Sequence, residues 1–253
     1  TTEQLNGTAL KVLTNYSSAT VDNKFYLELY DNKNKINNST PITASNFIQY
    51  INDESFKNTI IHRLVPDFVI QSGGYTWPVS SSNEIGGQPT KVTSKGAIIN
   101  EPGNSNLMGT ISMAKIGGMP NSATSEWFIN LSDNTMLDTS NEGFTVFGHI
   151  LGDGIKNPLL FNIPDLDIYE AVYQDLTLPD LPLNQITSNV INNENYFAIA
   201  NITSIDKRPN EIANKYNVIV SAVDQDGNQS NQYVIVNVKD IQGEVLNGID
   251  GQD

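Results

Sequence analysis

Residues 62–74 read HRLVPDFVIQSGG, the most informative stretch of the sequence. Apolar and polar residues alternate along it, as they do in a β-strand whose side chains point to opposite faces in turn. The Pro-Asp pair at 66–67 interrupts the alternation, because proline fixes its own φ and lacks a backbone donor, and such a pair favours a turn. The pattern therefore predicts two short strands joined by a kink. The kink could bring Arg63, Phe68 and Gln71 to one surface.

The composition is that of an acidic chain without cysteine. Of its 253 residues, 38% are hydrophobic and 17% are charged, which is typical of a soluble globular protein. The formal net charge of -14 opposes binding to nucleic acid and to anionic membrane surfaces, because both are negatively charged. The absence of cysteine excludes disulfides, thiolate metal sites and cysteine nucleophiles. The sequence also lacks an apolar run long enough to cross a membrane, so we expect no membrane insertion.

Short alternating runs predict a protein built mainly of β-strands. Residues 8–32 alternate apolar and polar positions in two runs, which predicts a β-hairpin. After it, Thr43 or Ser45 could cap a helix that ends near residues 52–53. From 60 to 150, brief apolar runs separated by Gly, Pro, Asn and Ser favour antiparallel β-structure, and a closed barrel would leave no exposed sheet edge.

The C-terminal part of the chain follows a different pattern. Residues 152–183 carry several prolines and predict a long surface excursion, with a short helix around 167–174. Residues 195–206 have the apolar density of a strand, and we expect the domain to end there. Two β-prone runs, 216–223 and 233–238, flank a polar loop and predict a C-terminal β-hairpin.

Three ordered blocks of sequence resemble one protein family. Residues 56–74 are similar to the pattern F-H-R-x-x-P-x-F-x-x-Q-x-G of the cyclophilins, which are peptidyl-prolyl cis-trans isomerases. Residues 109–138 resemble the second active-site stretch of that family, and 143–150 resemble the block that follows it. The resemblance covers residues 9–206. It implies a mainly β fold, namely a closed eight-stranded antiparallel β-barrel capped by two helices.

The chain beyond this resemblance is predicted to be an appendage. We expect a C-terminal β-hairpin extension over 210–240, either packed on the barrel or part of a truncated module, and a flexible tail over 241–253. Asp224 and Asp226 lie in the loop of this hairpin, and the sequence around them resembles the start of a calcium-binding loop. The distal glutamate of the full EF-hand pattern is absent. A hairpin turn is the favoured interpretation, and calcium binding there is left open.

The resemblance implies chemistry without a covalent intermediate. Rotation about an X-Pro bond faces a barrier of roughly 20 kcal/mol, because the amide C-N bond has partial double-bond character. A catalyst has to hold the proline ring and stabilise the twisted amide, whose nitrogen becomes basic as conjugation is lost. By the resemblance Arg63 is the catalytic residue, since its guanidinium stays protonated and offers several N-H donors to that nitrogen. No metal and no other cofactor is implied.

The resemblance also assigns the residues that would bind the substrate. They are Phe68, Val69, Gln71, Ala114, Lys115, Glu126, Phe128, Met136, Leu137 and Phe144. Met136 stands where many eukaryotic members have a tryptophan, which puts cyclosporin binding in doubt. Phe144 replaces a histidine or tyrosine, and Val69 replaces a methionine. Glu126 replaces a glutamine and adds a negative charge, which could form an ion pair near Arg63 that competes with substrate.

The remaining titratable residues form no second catalytic motif. His62 precedes Arg63 and should face the opposite side of its strand, so we expect it and His149 to be structural. Glu101 and Asp133 are expected to be loop or capping groups, because no paired acid and base accompanies them. Hydrolase chemistry therefore has no support.

The sequence thus predicts a peptidyl-prolyl cis-trans isomerase that acts on proline-containing unfolded or extended protein segments and assists folding. Two alternatives stay open: a non-catalytic proline-peptide-binding or chaperone module, and the isomerase-like part of a larger surface or adhesion protein. The absence of cysteine, the abundance of Asn, Ser and Thr, and a first residue other than methionine favour an exported protein. We expect the bacterial periplasm or cell surface, with the cytoplasm as the alternative.

Overall fold

The computed structural model describes most of the chain in atomic detail. The described residues are 6–16, 22–32, 36, 38–77, 88–152, 160, 166–184 and 195–206, with the backbone alone for 215–223 and 229–237. Within them the strands are β1 (Ala9–Thr14), β2 (Lys24–Leu29), β3 (Thr59–Ile60), β4 (Arg63–Val65), β5 (Val69–Ser72), β6 (Tyr75–Thr76), β7 (Thr90–Lys91), β8 (Thr110–Met113), β9 (Trp127–Asn130), β10 (Val146–Ile150), β11 (Leu166–Val172), β12 (Thr177–Asn184), β13 (Ala198–Ile205), β14 (Lys215–Val223) and β15 (Gln229–Asn237). One α-helix, α1 (Pro41–Asn52), and two 3-10 helices, Thr135–Asp138 and Ser140–Glu142, complete the described elements.

Eleven strands form one curled antiparallel sheet. Their order is β4-β5-β9-β8-β10-β2-β1-β13-β3-β6-β7. The strands β1 and β2 pair as neighbours, as the alternation over residues 8–32 predicts, and β13 lies on the other side of β1. The mainly β architecture is therefore confirmed.

The kink predicted at the Pro-Asp pair separates β4 from β5. The two strands are antiparallel, with Arg63 opposite Gln71 and Val65 opposite Val69. Between them Asp67 adopts a φ of 58°, a left-handed conformation that aspartate tolerates better than most residues, and the Phe68 N-H donates to the Val65 carbonyl at 3.1 Å. The prediction of two short strands joined by a turn is confirmed.

Apolar side chains fill the inside of the curled sheet. Because side chains alternate along each strand, every second residue points inward. The fully buried strand residues include Leu10, Val12, Leu27, Leu29, Ile111, Trp127, Ile129 and Phe147. From α1, Phe47 packs on Phe56, Phe147 and Trp127, with ring centroids 5.0, 5.1 and 5.9 Å away. Each such aromatic pair adds about 0.5–1.5 kcal/mol beyond the burial of its area.

Helix α1 begins earlier than the sequence predicts. Thr40 is its N-cap, its hydroxyl makes no capping hydrogen bond, and Pro41 opens the first turn, where its missing N-H costs nothing. Glu101 serves as the cap instead: one carboxylate oxygen accepts from the N-H and the hydroxyl of Thr43, each at 2.8 Å, and the other accepts from the Ile42 N-H at 3.3 Å. The expectation that Thr43 or Ser45 caps the helix is wrong, whereas the capping role expected for Glu101 is confirmed.

Residues 166–184 form a β-hairpin, β11 and β12, where the sequence predicts a short helix around 167–174. The helix prediction is wrong. Ile168, Tyr169 and Val172 are β-prone, and the partner strand β12 supplies hydrogen bonds that a local pattern does not reveal. The described residues contain one complete α-helix, α1, and one further helical residue, Leu160, so they do not show whether the predicted second capping helix is present.

The strands β14 and β15 pair with each other in a separate two-stranded sheet, with Lys215 opposite Asn237 and Val223 opposite Gln229. Asp224, Asp226 and the predicted tail 241–253 lie outside the described residues.

Candidate functional site

A cavity of about 500 Å³ lies on the outer face of the sheet, beside β4, β5 and β9. Ten of the predicted site residues line it: Arg63, Phe68, Val69, Gln71, Ala114, Lys115, Glu126, Phe128, Leu137 and Phe144. They come from segments far apart in the sequence, and the sheet brings them together. The kink places Arg63, Phe68 and Gln71 on one surface, as predicted.

Met136 is the predicted site residue that the structure places elsewhere. It does not line the cavity, and 58% of its surface is exposed. Met136 and Leu137 share the 3-10 helix Thr135–Asp138. Successive residues of a 3-10 helix point about 120° apart. Leu137 lines the cavity, whereas its neighbour Met136 faces solvent, and the assignment of Met136 to the substrate-binding site stays a prediction.

The floor of the cavity is apolar and tightly packed. Val69 and Phe128 are almost fully buried, with 2% and 4% of their surface exposed. The rings of Phe128 and Phe144 meet edge to face, with centroids 5.9 Å apart. Phe144 thus supplies an aromatic wall without the polar group of a histidine or tyrosine. A ring of similar size and low polarity is the ligand group that this floor can accommodate.

Arg63 provides a fixed positive charge at the rim. Its guanidinium lies 5.8 Å from the centre of the Phe68 ring. Its Nε donates to Asp180 Oδ2 of β12 at 3.2 Å, and both side chains are about one-third exposed. The Nη groups take no part in that bond. They are the donors available to a group inside the cavity.

Glu126 is bound by two neighbours of Arg63, Gln71 and His62, and not by Arg63 itself. Gln71 Nε2 donates to Glu126 Oε2 at 2.8 Å, and His62 Nε2 lies 3.5 Å from the same oxygen. Burial alone would raise the pKa of Glu126, but the hydrogen bonds from His62 and Gln71 and the charges of His62 and Lys91 outweigh it and hold that pKa below its ordinary value. Among the described residues Arg63 pairs with Asp180, and the group within ion-pair distance of Glu126 is His62 rather than Arg63.

His62 is buried and does not line the cavity, but it lies next to Glu126, which does. It is 6% exposed and does not line the cavity, as its position beside Arg63 predicts. Its ring meets Tyr75 edge to face at 5.3 Å, and its Nδ1 has no hydrogen-bond partner within the described part of the chain. Through Glu126, however, it helps to hold the amide of Gln71. The sequence carries no local signal for that contact.

Lys115 stabilises a loop, in addition to lining the cavity. Its Nζ donates to the carbonyl oxygens of Asn141 and Gly143, at 2.8 and 2.6 Å, and lies 4.8 Å from the Phe144 ring centre. Burial lowers its pKa, while the charge of Glu142 partly opposes that effect. The side chain therefore fixes the segment that carries Phe144.

A buried network of amides holds the turn of the kink and the 3-10 helix in place. Asn134 Nδ2 donates to the Phe68 carbonyl at 2.8 Å and to Asn130 Oδ1 at 2.9 Å. Asn106 donates through its backbone and its side chain to Asp138 Oδ1, at 2.8 and 2.9 Å. These bonds fix Phe68 and the helix that carries Leu137. The members of this network have no motif spacing, so the sequence alone does not predict it.

The charge around the cavity differs from that of the whole chain. The charged residues that line it are three cations, Arg63, Lys91 and Lys115, and one anion, Glu126, although the formal net charge of the chain is -14. Among the described residues no cluster of three or more His, Cys, Asp or Glu side chains could hold a metal ion. Within the same residues no helix has the length and apolarity needed to span a membrane.

Comparison with known proteins gives consistent matches. Residues 19–158 match the family model described as cyclophilin type peptidyl-prolyl cis-trans isomerase/CLD. The chain is 36% identical over 129 residues to the peptidyl-prolyl cis-trans isomerase of Acinetobacter baylyi, and 37% identical over 113 residues to peptidyl-prolyl cis-trans isomerase A of Dickeya dadantii. These matches cover 49% and 44% of this chain, and 60% and 55% of the two relatives.

The fold agrees with a solved structure of the same type. A cyclophilin type peptidyl-prolyl cis-trans isomerase of Cryptosporidium parvum superposes with a TM-score of 0.50 at 20% sequence identity, covering 79% of this chain and 99% of that one. At this identity the likeness concerns the fold alone. The family match over more than half of the sequence, together with the shared fold, shows that the chain belongs to the cyclophilin-type peptidyl-prolyl cis-trans isomerase family.

Proposed function

We propose that this protein catalyses the cis-trans isomerisation of X-Pro bonds in extended or unfolded protein segments. The observation that carries the proposal is the placement of the Arg63 guanidinium at the rim of an apolar cavity floored by Val69 and Phe128. The floor would hold the proline ring, while the Nη groups of Arg63 face the adjoining amide. The bacterial relatives bear the name of this activity, which supports the same conclusion.

The chemistry needs stabilisation of a twisted amide and no covalent step. As the X-Pro bond rotates, conjugation is lost and the lone pair returns to the proline nitrogen. A guanidinium donor aimed at that nitrogen binds the twisted state better than either planar state, so it lowers the barrier rather than merely binding the peptide. Each 1.4 kcal/mol of such preference gives about a tenfold acceleration.

The size and polarity of the cavity support a peptide ligand. Its volume of about 500 Å³ exceeds that of one proline ring, which leaves room for residues on either side. Gln71 and Glu126 provide polar groups beside the apolar floor. A cyclophilin of Cryptosporidium parvum has been solved in the presence of the dipeptide Ala-Pro, which supports a proline-containing ligand for the corresponding cavity here.

Exchange NMR on a short X-Pro peptide tests the proposal. The parent protein should accelerate cis-trans exchange. Arg63→Ala should lower kcat/KM by about 100-fold, the effect typical of removing one donor to a developing charge. Arg63→Lys should recover only part of the rate, because an ammonium lacks the planar fork of donors. Lys57→Ala, which removes an exposed cation far from the cavity lining, serves as the control.

Two other results would refute the proposal. A parent that binds the peptide without accelerating exchange would be a proline-peptide-binding module, the alternative that the substitutions at Glu126 and Phe144 left open. An active Arg63→Ala variant would remove Arg63 from the mechanism. Circular dichroism of each variant separates these outcomes from a loss of folding.

We also infer that the curled sheet closes into the eight-stranded barrel of the family, with a second helix beside it. Support comes from residues 59–65, which carry both β3 and β4 although these strands lie far apart in the sheet order. The Ile61 N-H donates to Phe197 next to β13 at 2.7 Å, and the His62 N-H donates to Gln71 of β5 at 3.1 Å. Hydrogen exchange checks the closure, since both amides should be protected to the same extent as the core of β9.

We further propose the domain division and location that the sequence predicts. The division is an isomerase domain over 9–206 with a hairpin extension over 210–240, and limited proteolysis should cut between the two.

The location is outside the cytoplasm, supported by the absence of cysteine and the abundance of Asn, Ser and Thr. Fractionation of the source cells tests it, and recovery with cytoplasmic markers would contradict it.

A further inference from the structure

The hairpin formed by β11 and β12 lies outside the segment that matches the family, yet it reaches the proposed catalytic arginine. The family match ends at residue 158, and the hairpin spans 166–184. Asp180, in the middle of β12, accepts a hydrogen bond from Arg63 Nε at 3.2 Å. The contact joins residues 117 positions apart. A part of the chain beyond the matched segment thus supplies a hydrogen-bond partner of Arg63.

The hairpin holds Asp180 on a fixed frame. On either side of it, Leu178 and Leu181 are buried, with 4% and 0% exposed, in a cluster that includes Ile60 of β3. The hydroxyl groups of Tyr173 and Tyr196 are 2.6 Å apart and join the hairpin to the chain next to β13. Because its neighbours are packed, the carboxylate has little freedom to leave Arg63. An ordered partner reduces the conformational entropy that the long arginine side chain would otherwise lose on reaching its active geometry.

The bond between Arg63 and Asp180 leaves the Nη groups of Arg63 free to bind a ligand. A guanidinium has five N-H donors, and the bond to Asp180 uses the one on Nε. Asp180 is not among the residues that line the cavity, so it approaches from the outside. The four donors on the two Nη groups remain for a ligand. A carboxylate placed this way orients the arginine without occupying the cavity.

Asp180 also gives Arg63 a partner other than Glu126. Arg63 lies opposite Gln71 across β4 and β5, and Gln71 in turn binds Glu126, so a carboxylate lines the same cavity nearby. If Arg63 turned toward Glu126, its donors would point at an anion instead of at the substrate amide. The bond at Nε opposes that rotation.

We propose that Asp180 is a positioning residue that orients the Arg63 guanidinium for isomerisation. The inference rests on the proposed isomerase function. Asp180 need not touch the substrate, because it acts through the direction in which the Nη donors point. Its loss should therefore change the rate of the chemical step more than the binding of the peptide.

Kinetics of two substitutions at Asp180 test the role. Asp180→Ala should lower kcat by about three- to tenfold, the rate equivalent of the ordering cost of one long side chain, with KM changed by less than about twofold. Asp180→Asn keeps an acceptor for Nε and should recover most of the lost rate. Asp175→Ala removes an exposed carboxylate from the turn of the same hairpin and is the control. It should match the parent.

A second measurement reads the orientation of Arg63 without relying on activity. In the parent, the Nε-H of Arg63 should give a distinct ¹⁵N-¹H signal in slow exchange with water, because it is bonded to a carboxylate. Asp180→Ala should move that signal into fast exchange, and Asp175→Ala should not. An Arg63 signal that is the same in the parent and in Asp180→Ala would overturn the proposal.

The kinetic outcomes distinguish this inference from the function on which it rests. An active parent with an unchanged Asp180→Ala rate overturns the role of Asp180 and leaves the isomerase proposal intact. A faster Asp180→Ala variant would mean that the carboxylate competes with substrate, which also overturns it. A parent without activity overturns the isomerase proposal and the positioning role together.

Discussion

Replacing Glu126 by glutamine should destabilise the protein in a pH-dependent manner. Glu126 Oε2 accepts from Gln71 at 2.8 Å and lies 3.5 Å from His62 Nε2, and 31% of its side chain is exposed. Glutamine has nearly the same size and keeps one acceptor, but it lacks the charge. Hydrogen bonds to a charged group contribute about 1.5–3 kcal/mol and neutral ones about 0.5–1.5, so the change should cost about 1 kcal/mol at pH 7.

The pH dependence follows from the lowered pKa of Glu126. Burial opposes that lowering, but the bonds and charges of His62, Gln71 and Lys91 prevail. A carboxyl whose pKa is lower in the folded state stabilises the fold above its unfolded value, about pH 4.3, and loses that contribution as the pH falls through the folded value. The gap between parent and Glu126→Gln should therefore be full at pH 7 and close in strong acid.

Urea unfolding at a series of pH values measures this gap. Glu170→Gln, which changes an exposed glutamate of β11, is the matched control and should differ from the parent by less than about 0.5 kcal/mol at every pH. A gap of equal size at pH 7 and in strong acid would refute the argument, since the charge would then not be its source. So would a variant more stable than the parent at pH 7.

Three further substitutions test the surroundings of the site. Glu101→Ala removes the acceptor for Thr43 at the start of α1 and should lower the unfolding free energy by about 1 kcal/mol; an unchanged melting temperature would contradict that cap. Gly73→Ala places a Cβ 2.4 Å from the Ser125 carbonyl oxygen at a φ of 81°, so it should cost at least about 1 kcal/mol and disturb peptide binding. Gly96→Ala has a similarly positive φ of 103° but no atom near its Cβ, so a smaller loss there in calorimetry would isolate the clash from the backbone strain, and an equal loss would contradict the clash. Phe47→Ala should cost about 3–5 kcal/mol in urea unfolding, and a loss below about 1 kcal/mol would mean that its aromatic contacts add little.

Local sequence rules were sufficient for the parts of the site that depend on neighbours in the chain. The Pro-Asp pair at 66–67 identified the turn between β4 and β5, because proline and aspartate each restrict the backbone by themselves. Alternation identified the hairpin of β1 and β2 for a similar reason. The resemblance of the blocks around Arg63 and Phe128 to the cyclophilins, rather than any local rule, identified ten of the residues that line the cavity.

The remaining features depend on contacts between distant segments. Glu101 caps α1 from 58 positions away, and Asp180 reaches Arg63 from 117 positions away, so no local window contains either pair. Ile168, Ala171 and Val172 recur at helical spacing within the short helix that the sequence predicts around 167–174, whereas the chain forms a hairpin over 166–184. Pairing with β12 decided the outcome, which is the usual way in which tertiary context overrides local preference.

The alternation of side chains on β5 and β9 has an evolutionary consequence. Ile70 and Ile129 point into the core, while their immediate neighbours Val69 and Phe128 floor the cavity. Selection can therefore act on the two sets separately, although they share the same backbone. Substitutions at Val69 and Phe128 can change which ligand the cavity binds, while Ile70 and Ile129 continue to hold the core. At these two pairs of positions, the parity of the residue number separates the side chains that face a ligand from those that face the core.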